Sequence, residues 1–171
     1  FEQAPPIFPE YPPDGQTLAV AMTREAAGED CGVWGTQTCD SWLATLSLVG
    51  NSIGSPVTLV EADAEWMHYY PTWSPTGQYV AFASAPKASG VSKLNPNAVL
   101  RMVPVAGAPH VCPGPSCIEL SAGTGYTVEQ ALAGEGRWST WPKFTPFAQG
   151  DGGEILFISF TSKLDYGFLS A

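Results

Sequence analysis

Two carboxylates beside a group of aromatic residues form the part of this sequence that most resembles a chemical site. Asp63 and Glu65 stand next to Trp66, His68 and Tyr69. Paired carboxylates can serve as acid and base in glycoside cleavage, and aromatic rings stack on the apolar faces of sugars. Two interpretations stay open: a glycan or other ligand site, or a connection whose aromatic side chains fill the space between packed units. For His68 we expect packing or hydrogen bonding rather than action as a base.

The sequence lacks the motifs that carry the commonest enzyme chemistries. It contains no G-x-S-x-G, no H-E-x-x-H, no P-loop and no G-x-G-x-x-G. His110 stands in a Pro- and Gly-rich stretch and is expected to be solvated. Asp14 and Asp165 are expected to cap turns, because Asp bonds its own backbone there. Calcium at either Asp would need further oxygen ligands that the sequence does not identify. We therefore expect no catalytic residue, no metal and no cofactor in this chain, with a Ca²⁺ site near the first copy of the repeat as the alternative.

The four cysteines form two local pairs in loop-like sequence. Cys31 lies near Cys39, and Cys112 lies near Cys117. An even count in such sequence favours two short-range disulfides and an oxidising compartment. A zinc site would have to combine His110 with Cys112 and Cys117, which gives three ligands at no familiar zinc spacing. Disulfides are the favoured interpretation, with zinc and free thiols as the alternatives.

Composition restricts the class of protein and its partners. The 171 residues carry a net charge of −9, and the excess of acids lies before residue 66. Such a chain repels phosphate backbones, so we expect no nucleic-acid partner. No apolar run approaches the roughly 20 residues of a membrane span. The 18 Gly and 16 Pro residues predict many turns and no long helices.

A short sequence phrase that occurs three times predicts the strands and turns that position these residues. Each copy reads aromatic, Pro, any residue, aromatic, and then a turn that contains Pro. A β-rich run follows each copy. Such a repeat predicts an array of equivalent supersecondary units. The repeat residues are Pro9, Tyr11, Pro13 and Gly15 in the first copy, Pro71, Trp73, Ser74, Pro75 and Gly77 in the second, and Pro142, Phe144 and Pro146 in the third.

The predicted strands make each unit a four-stranded antiparallel meander. Proline at the first central turn position and a glycine two residues later indicate a tight hairpin after each complete phrase. The predicted strands are 8–11, 17–22, 42–49 and 57–60 in the first unit; 70–74, 79–83, 99–105 and 117–120 in the second; and 141–145 and 155–160 in the third.

The spacing of the repeats locates the insertions. Pro9 and Pro71 are 62 residues apart, and Pro71 and Pro142 are 71 apart, whereas a four-stranded propeller blade needs roughly 40 to 45. In a meander, successive connections alternate between the two ends of the sheet. The long segments 23–41, 85–97 and 121–140 are all connections of one kind. We therefore expect them to cluster on one face, and function to lie in these loops.

The phrase Pro-x-aromatic-Ser-Pro-x-Gly-x-x-hydrophobic-Ala-Phe resembles the repeat of TolB-like, WD40-like (PD40) β-propellers. The match is nearly complete over residues 71–83, with Thr76 where the family commonly has Asp. It is looser over 9–21, where Tyr11 and Pro12 replace Trp and Ser. In the third copy an insertion around 148–153 lengthens the turn.

The resemblance implies an all-β fold built of propeller blades, at about 8–62, 69–121 and 139–171, in one partial propeller whose third blade is incomplete. We expect the remaining blades to come from a longer chain or a second chain, since closed propellers have four to eight. The family implies a bacterial, periplasmic, cell-surface or secreted module that binds a protein or polysaccharide without catalysis. The alternatives are the gating propeller of a larger hydrolase, such as a prolyl-oligopeptidase-like peptidase, and a glycan-active propeller that uses Asp63 or Glu65.

Overall fold

The computed structural model describes residues 7–24, 40–87, 95, 97–120, 129–130, 133, 139–150 and 155–162. These residues form an all-β protein with several antiparallel sheets. The strands are β1 (Ile7–Glu10), β2 (Thr17–Arg24), β3 (Asp40–Val49), β4 (Ser52–Ile53), β5 (Val57–Val60), β6 (Trp66–Trp73), β7 (Tyr79–Pro86), β8 (Val99–Pro104), β9 (Ile118–Glu119), β10 (Ser139–Phe144) and β11 (Ile158–Ser162).

The strands pair with their sequence neighbours in three sheets. In sheet 1 the order is β1-β2-β3, and both β4 and β5 pair with β3. In sheet 2 the order is β6-β7-β8-β9, and sheet 3 pairs β10 with β11. All these pairs are antiparallel. Sheet 2 is the predicted four-stranded meander, and sheet 1 contains it as β1-β2-β3-β5 with β4, which was not predicted, added on β3.

Two of the predicted strands begin three or four residues away from their observed starts. β6 begins at Trp66 rather than Tyr70, because Asp63 caps the preceding turn and the residues from Trp66 to Tyr69 already pair with β7. The predicted strand 155–160 is wrong at its start. Ile155 instead pairs with Gln149 inside the widened turn, and β11 begins at Ile158, where it meets β10.

The two complete phrases fold into the same tight turn. The Gly15 amide donates to the Pro12 carbonyl at 3.0 Å, and the Gly77 amide donates to the Ser74 carbonyl at 2.9 Å. Both glycines have left-handed backbones, with φ of +66° and +69°. A proline at the first central position and a glycine that leaves the turn at positive φ explain both hairpins. The predicted turns are therefore confirmed.

A bulge interrupts the first strand of each sheet at the aromatic–Pro step. The register shifts between Ile7 and Glu10 in β1, between Tyr69 and Thr72 in β6, and between Thr140 and Lys143 in β10. Proline has no amide hydrogen, so it tolerates a bulge better than a regular ladder position. The three copies of the phrase therefore share a backbone bulge as well as a sequence pattern.

The sheets stack in chain order with a repeated contact. β6 packs against β1, β2 and β3, and β10 packs against β6, β7 and β8. The first layer between sheets 1 and 2 includes Ala19, Leu43, Val80 and Phe82. The opposite side of sheet 2 buries Tyr69 and Leu100 with Phe160 of sheet 3 packed against them. Each layer combines small and large apolar side chains, which lets the sheets pack closely.

Candidate functional site

The three longest connections are anchored at the same end of the sheets, which we call the loop end. β2 ends and β3 begins at Arg24 and Asp40, which are register partners. Lys87, just after β7, pairs with Asp40. The Ser139 amide, at the start of β10, donates to the Ala98 carbonyl beside the start of β8. The sequence prediction of a common face is therefore supported by the anchors, while most residues of the three connections lie outside the described ones.

A three-residue ionic group holds the loop end of sheet 1 against sheet 2. The Asp40 carboxylate accepts from Arg24 Nη2 and from Lys87 Nζ, each at 2.7 Å. The hydrogen bond from Arg24, then that from Lys87, lowers the pKa of the Asp40 carboxyl below its ordinary value. Asp40 therefore stays charged at neutral pH and joins two loop anchors across the sheet boundary.

A second polar group lies buried beneath the loop end. Arg101 of β8 is 1% exposed, and His68 of β6 and Ser84 of β7 are fully buried. Arg101 Nη1 donates to Ser84 Oγ at 2.9 Å, and His68 Nδ1 lies 3.0 Å from the same oxygen. The Arg101 guanidinium also stacks 4.1 Å above the Trp66 ring. The His68 amide donates to Ser41 Oγ of sheet 1 at 2.7 Å, which ties the group to the neighbouring sheet.

Burial controls the charge states of this group. Desolvation, with a smaller contribution from the positive charges of Arg101 and Lys87, lowers the pKa of His68 to about 3. Desolvation also lowers the pKa of Arg101, to about 10, against the opposing influence of Glu119 and Asp63. His68 is thus neutral and Arg101 charged at neutral pH. Among the described residues, His68 Nε2 and Arg101 Nη2 have no hydrogen-bond partner. The group holds a fixed charge and has no side chain that titrates near pH 7.

The predicted carboxylate and aromatic group does not come together on one surface. Asp63 Oδ1 accepts from the amides of Glu65 at 2.7 Å and Trp66 at 2.9 Å, so it caps the entry to β6. Glu65 is exposed. Trp66 and His68 are buried on the side of β6 that faces sheet 1, and Tyr69 is buried on the opposite side. None of these three rings therefore offers an open face to a sugar.

The repeat residues converge from the three sheets. Tyr11, Pro13, Trp73, Pro75, Phe144 and Pro146 line a cleft of about 220 Å³ at the turns. Pro9, Pro71 and Pro142 line a second and larger cleft at the bulges. Ser74 is buried, where its hydroxyl accepts from the Tyr79 amide at 3.0 Å and so closes its turn. In the first turn Pro12 stands at the position of this serine, and Asp14 instead accepts from the Gln16 amide at 2.9 Å.

The predicted disulfide between Cys112 and Cys117 is present, whereas Cys31, Cys39 and Asp165 lie outside the described residues. The prediction of a solvated His110 is wrong. His110 is buried, its Nε2 donates to the Pro104 carbonyl at 2.7 Å, and its Nδ1 lies 3.1 Å from Ser116 Oγ. Its backbone bridges to Val60 of β5. The β8–β9 connection therefore folds back onto sheet 1, which buries the imidazole.

Within the described residues, no three His, Cys, Asp or Glu side chains lie close enough to hold a metal ion. The same residues include no helix long and apolar enough to cross a membrane.

Sequence reasoning missed the buried Arg101. The available signal was a single charged residue inside the apolar run from Val99 to Val103. A charge in the interior of a strand that is covered on both faces must be buried with partners. Those partners, Ser84 and Trp66, come from two other strands, so the register was needed to identify them.

A scan against protein-family models found no match to this chain. A search of curated proteins likewise found no similar sequence.

Proposed function

We propose that this chain is part of a TolB-like β-propeller whose described sheets are successive blades, and that it binds a protein or polysaccharide partner through the loop end. The observation that carries the proposal is the repeated relation between sheets. β6 bulges at Tyr70–Pro71 and packs on sheet 1, just as β10 bulges at Trp141–Pro142 and packs on sheet 2. Propellers are built by radial repetition of equivalent sheets, and a repeated packing of each sheet on the one before is what that construction requires.

The chemistry of the loop end supports recognition rather than catalysis. The three long connections begin beside one another, and loops held by a rigid scaffold commonly carry binding residues. The buried His68 is neutral, and the Asp40 carboxylate is occupied by two cations. These groups brace the loop anchors and leave contact with a partner to the loops.

Site-specific photo-cross-linking tests this proposal. A photoreactive residue replaces Glu65, which is exposed at the loop end, and in a matched variant it replaces Asp14, which is exposed at the opposite end. The proteins are expressed in the native host and irradiated, and cross-linked proteins and polysaccharides are identified by mass spectrometry. We expect a specific product from the Glu65 position and none from Asp14. Products from Asp14 alone, or equal products from both, would contradict binding at the loop end.

We also propose that the protein works outside the cytoplasm. The observation is the Cys112–Cys117 disulfide, since such bonds persist in oxidising compartments. Protein from the native host is alkylated at once under denaturing conditions and then digested. A linked Cys112–Cys117 pair is the expected result, whereas alkylation of both thiols would contradict the assignment.

A further inference from the structure

A cleft at the three strand bulges has the shape and lining of a ligand site. It has a volume of about 520 Å³, which lies within the range of small-ligand pockets. We call it the bulge pocket. Its lining comes from all three sheets and consists of Pro9, Glu10, Tyr70, Pro71, Trp141, Pro142, Lys143 and Thr161.

Two aromatic residues in this pocket are held in a strained backbone conformation. Tyr70 has φ of 53° and Trp141 has φ of 52°, and they are the only described non-glycine residues with positive φ. Each precedes a proline, which itself favours an extended conformation. Glycine would adopt this conformation without strain. Bulky side chains at strained positions are a mark of functional sites.

The two rings form one apolar wall. Tyr70 and Trp141 meet edge to face with centroids 5.3 Å apart. Trp141 remains 44% exposed, although an aromatic side chain of that size usually gains from burial. The rings and the three prolines therefore present rigid apolar surface to an occupant.

Two of the polar side chains of the pocket are charged. Glu10 and Lys143, at equivalent positions of the first and third phrases, form an ion pair at its lining. The Lys143 side chain is 57% exposed, and an exposed pair of this kind contributes little, so Glu10 can exchange its cation for another. Thr161 and Tyr70 add one hydroxyl each, and Trp141 adds an indole N–H.

We propose that the bulge pocket binds a proline-rich peptide in the polyproline II conformation, with prolines against Trp141 and Tyr70 and a basic residue of the peptide on Glu10. Grooves lined by aromatic residues recognise such peptides because the extended helix is already ordered and needs few hydrogen bonds. A sugar would need more polar partners than the few polar side chains of this lining supply. The net charge of −9 favours a basic ligand over an acidic one. The inference rests on the pocket and is independent of binding at the loop end.

Fluorescence anisotropy with synthetic probes tests the proposal. The first probe is a labelled peptide of one Arg followed by prolines, about nine residues or three polyproline II turns long. The second replaces Arg by Glu, and the third is a labelled cello-oligosaccharide. We expect saturable binding of the Arg peptide, roughly fivefold weaker binding of the Glu peptide, as an exposed ion pair allows, and no binding of the sugar.

Two variants and one control distinguish a loss of peptide binding from a loss of folding. Trp141→Gly removes the ring and relieves the left-handed strain, so the protein should stay folded while the Arg peptide binds roughly tenfold or more weakly. Glu10→Gln should remove the preference for Arg over Glu. Phe147→Ala, which removes another aromatic ring, 72% exposed and outside the pocket lining, should change neither.

Three results would overturn the proposal. These are the absence of saturable Arg-peptide binding by the folded protein, unchanged binding by Trp141→Gly, and binding of the oligosaccharide in place of the peptide.

Discussion

Two sheet faces that occupy equivalent positions in this molecule carry opposite chemistry. In sheet 1, Val20 of β2 pairs with Ala44 of β3 in a fully apolar layer. In sheet 2, the equivalent residue Phe82 of β7 pairs with Arg101 of β8. Val20 and Phe82 each lie 11 residues after the proline of their phrase, so their register partners Ala44 and Arg101 hold equivalent places in the two meanders. The same position therefore holds a small apolar residue in sheet 1 and a buried cation in sheet 2.

The neighbours explain the difference. Ser84 accepts from Arg101, whereas Met22 at the equivalent position of sheet 1 offers no oxygen acceptor. Trp66 adds its ring beneath the guanidinium. The repeat therefore determines the backbone and the register. Single side chains from neighbouring strands decide whether a face can hold a charge.

The largest effect is expected from placing the cation in the sheet that lacks its partners. Ala44→Arg would bury a guanidinium without an acceptor at a site with 0% exposure. We expect a loss of roughly 4 kcal/mol or more in the free energy of unfolding, measured by urea denaturation.

Two further variants show whether that loss comes from the buried charge or from the added volume. Ala44→Leu adds volume without charge and should cost roughly 1–3 kcal/mol through overpacking. The double variant Met22→Ser, Ala44→Arg supplies the acceptor and should recover about 1–2 kcal/mol of the loss. If Ala44→Arg cost no more than Ala44→Leu, sheet 1 would tolerate the charge, and the explanation by partners would be wrong.

The converse change in sheet 2 is expected to have the next largest effect. Arg101→Ala removes the contact with Trp66 and the bond to Ser84, and it leaves a cavity, so we expect a loss of roughly 3 kcal/mol. Arg101→Met keeps most of the volume and removes a buried charge with an unpaired Nη2. It should therefore cost much less than the alanine variant or nothing. Equal losses in urea denaturation would mean that the bonds of the guanidinium outweigh its desolvation.

His68 makes the polar face sensitive to acid. Its pKa is about 3 in the folded chain and about 6.5 when unfolded. Between these values only the unfolded chain takes up the proton, so stability is complete above pH 6.5 and falls as the pH drops toward 3. From pH 7 to pH 5 this group should remove about 2 kcal/mol. Urea denaturation at both pH values measures the loss. His68→Asn, which keeps a polar atom near Ser84, should reduce that loss, and an unchanged pH dependence would exclude His68 as its source.

The local elements of this fold follow from the sequence. The Pro and Gly positions predict both tight turns, and the apolar runs predict strands such as β5 almost to the residue. Such features depend on a few neighbouring residues, and the chain carries the whole signal. The strand bounds at Trp66 and Ile155 differ because they depend on which partner strand is available.

The candidate sites were less accessible to sequence reasoning. The prediction grouped Trp66 with Tyr69, yet the strand sends them to opposite sides of sheet 2. The bulge pocket joins residues more than 130 positions apart, as Glu10 and Lys143 show. The sequence shows that the phrase has three equivalent copies. Only the stacking of the sheets shows that these copies face one another.

The smallest effect is expected where the two sheets are most alike. Gly15 and Gly77 have the same left-handed φ, and a Cβ at either would meet nothing within 4 Å. Alanine at each therefore costs only the backbone strain, about 1 kcal/mol or somewhat more. Because the turns are equivalent, Gly15→Ala and Gly77→Ala should lower the free energy of unfolding by the same amount, and the double variant should lose the sum, since the sites have no shared partner. Gly→Asn at the same positions should cost less, because Asn tolerates this conformation. A large loss at Gly77 with none at Gly15 would show that the two phrases share a sequence pattern without sharing its energetic role.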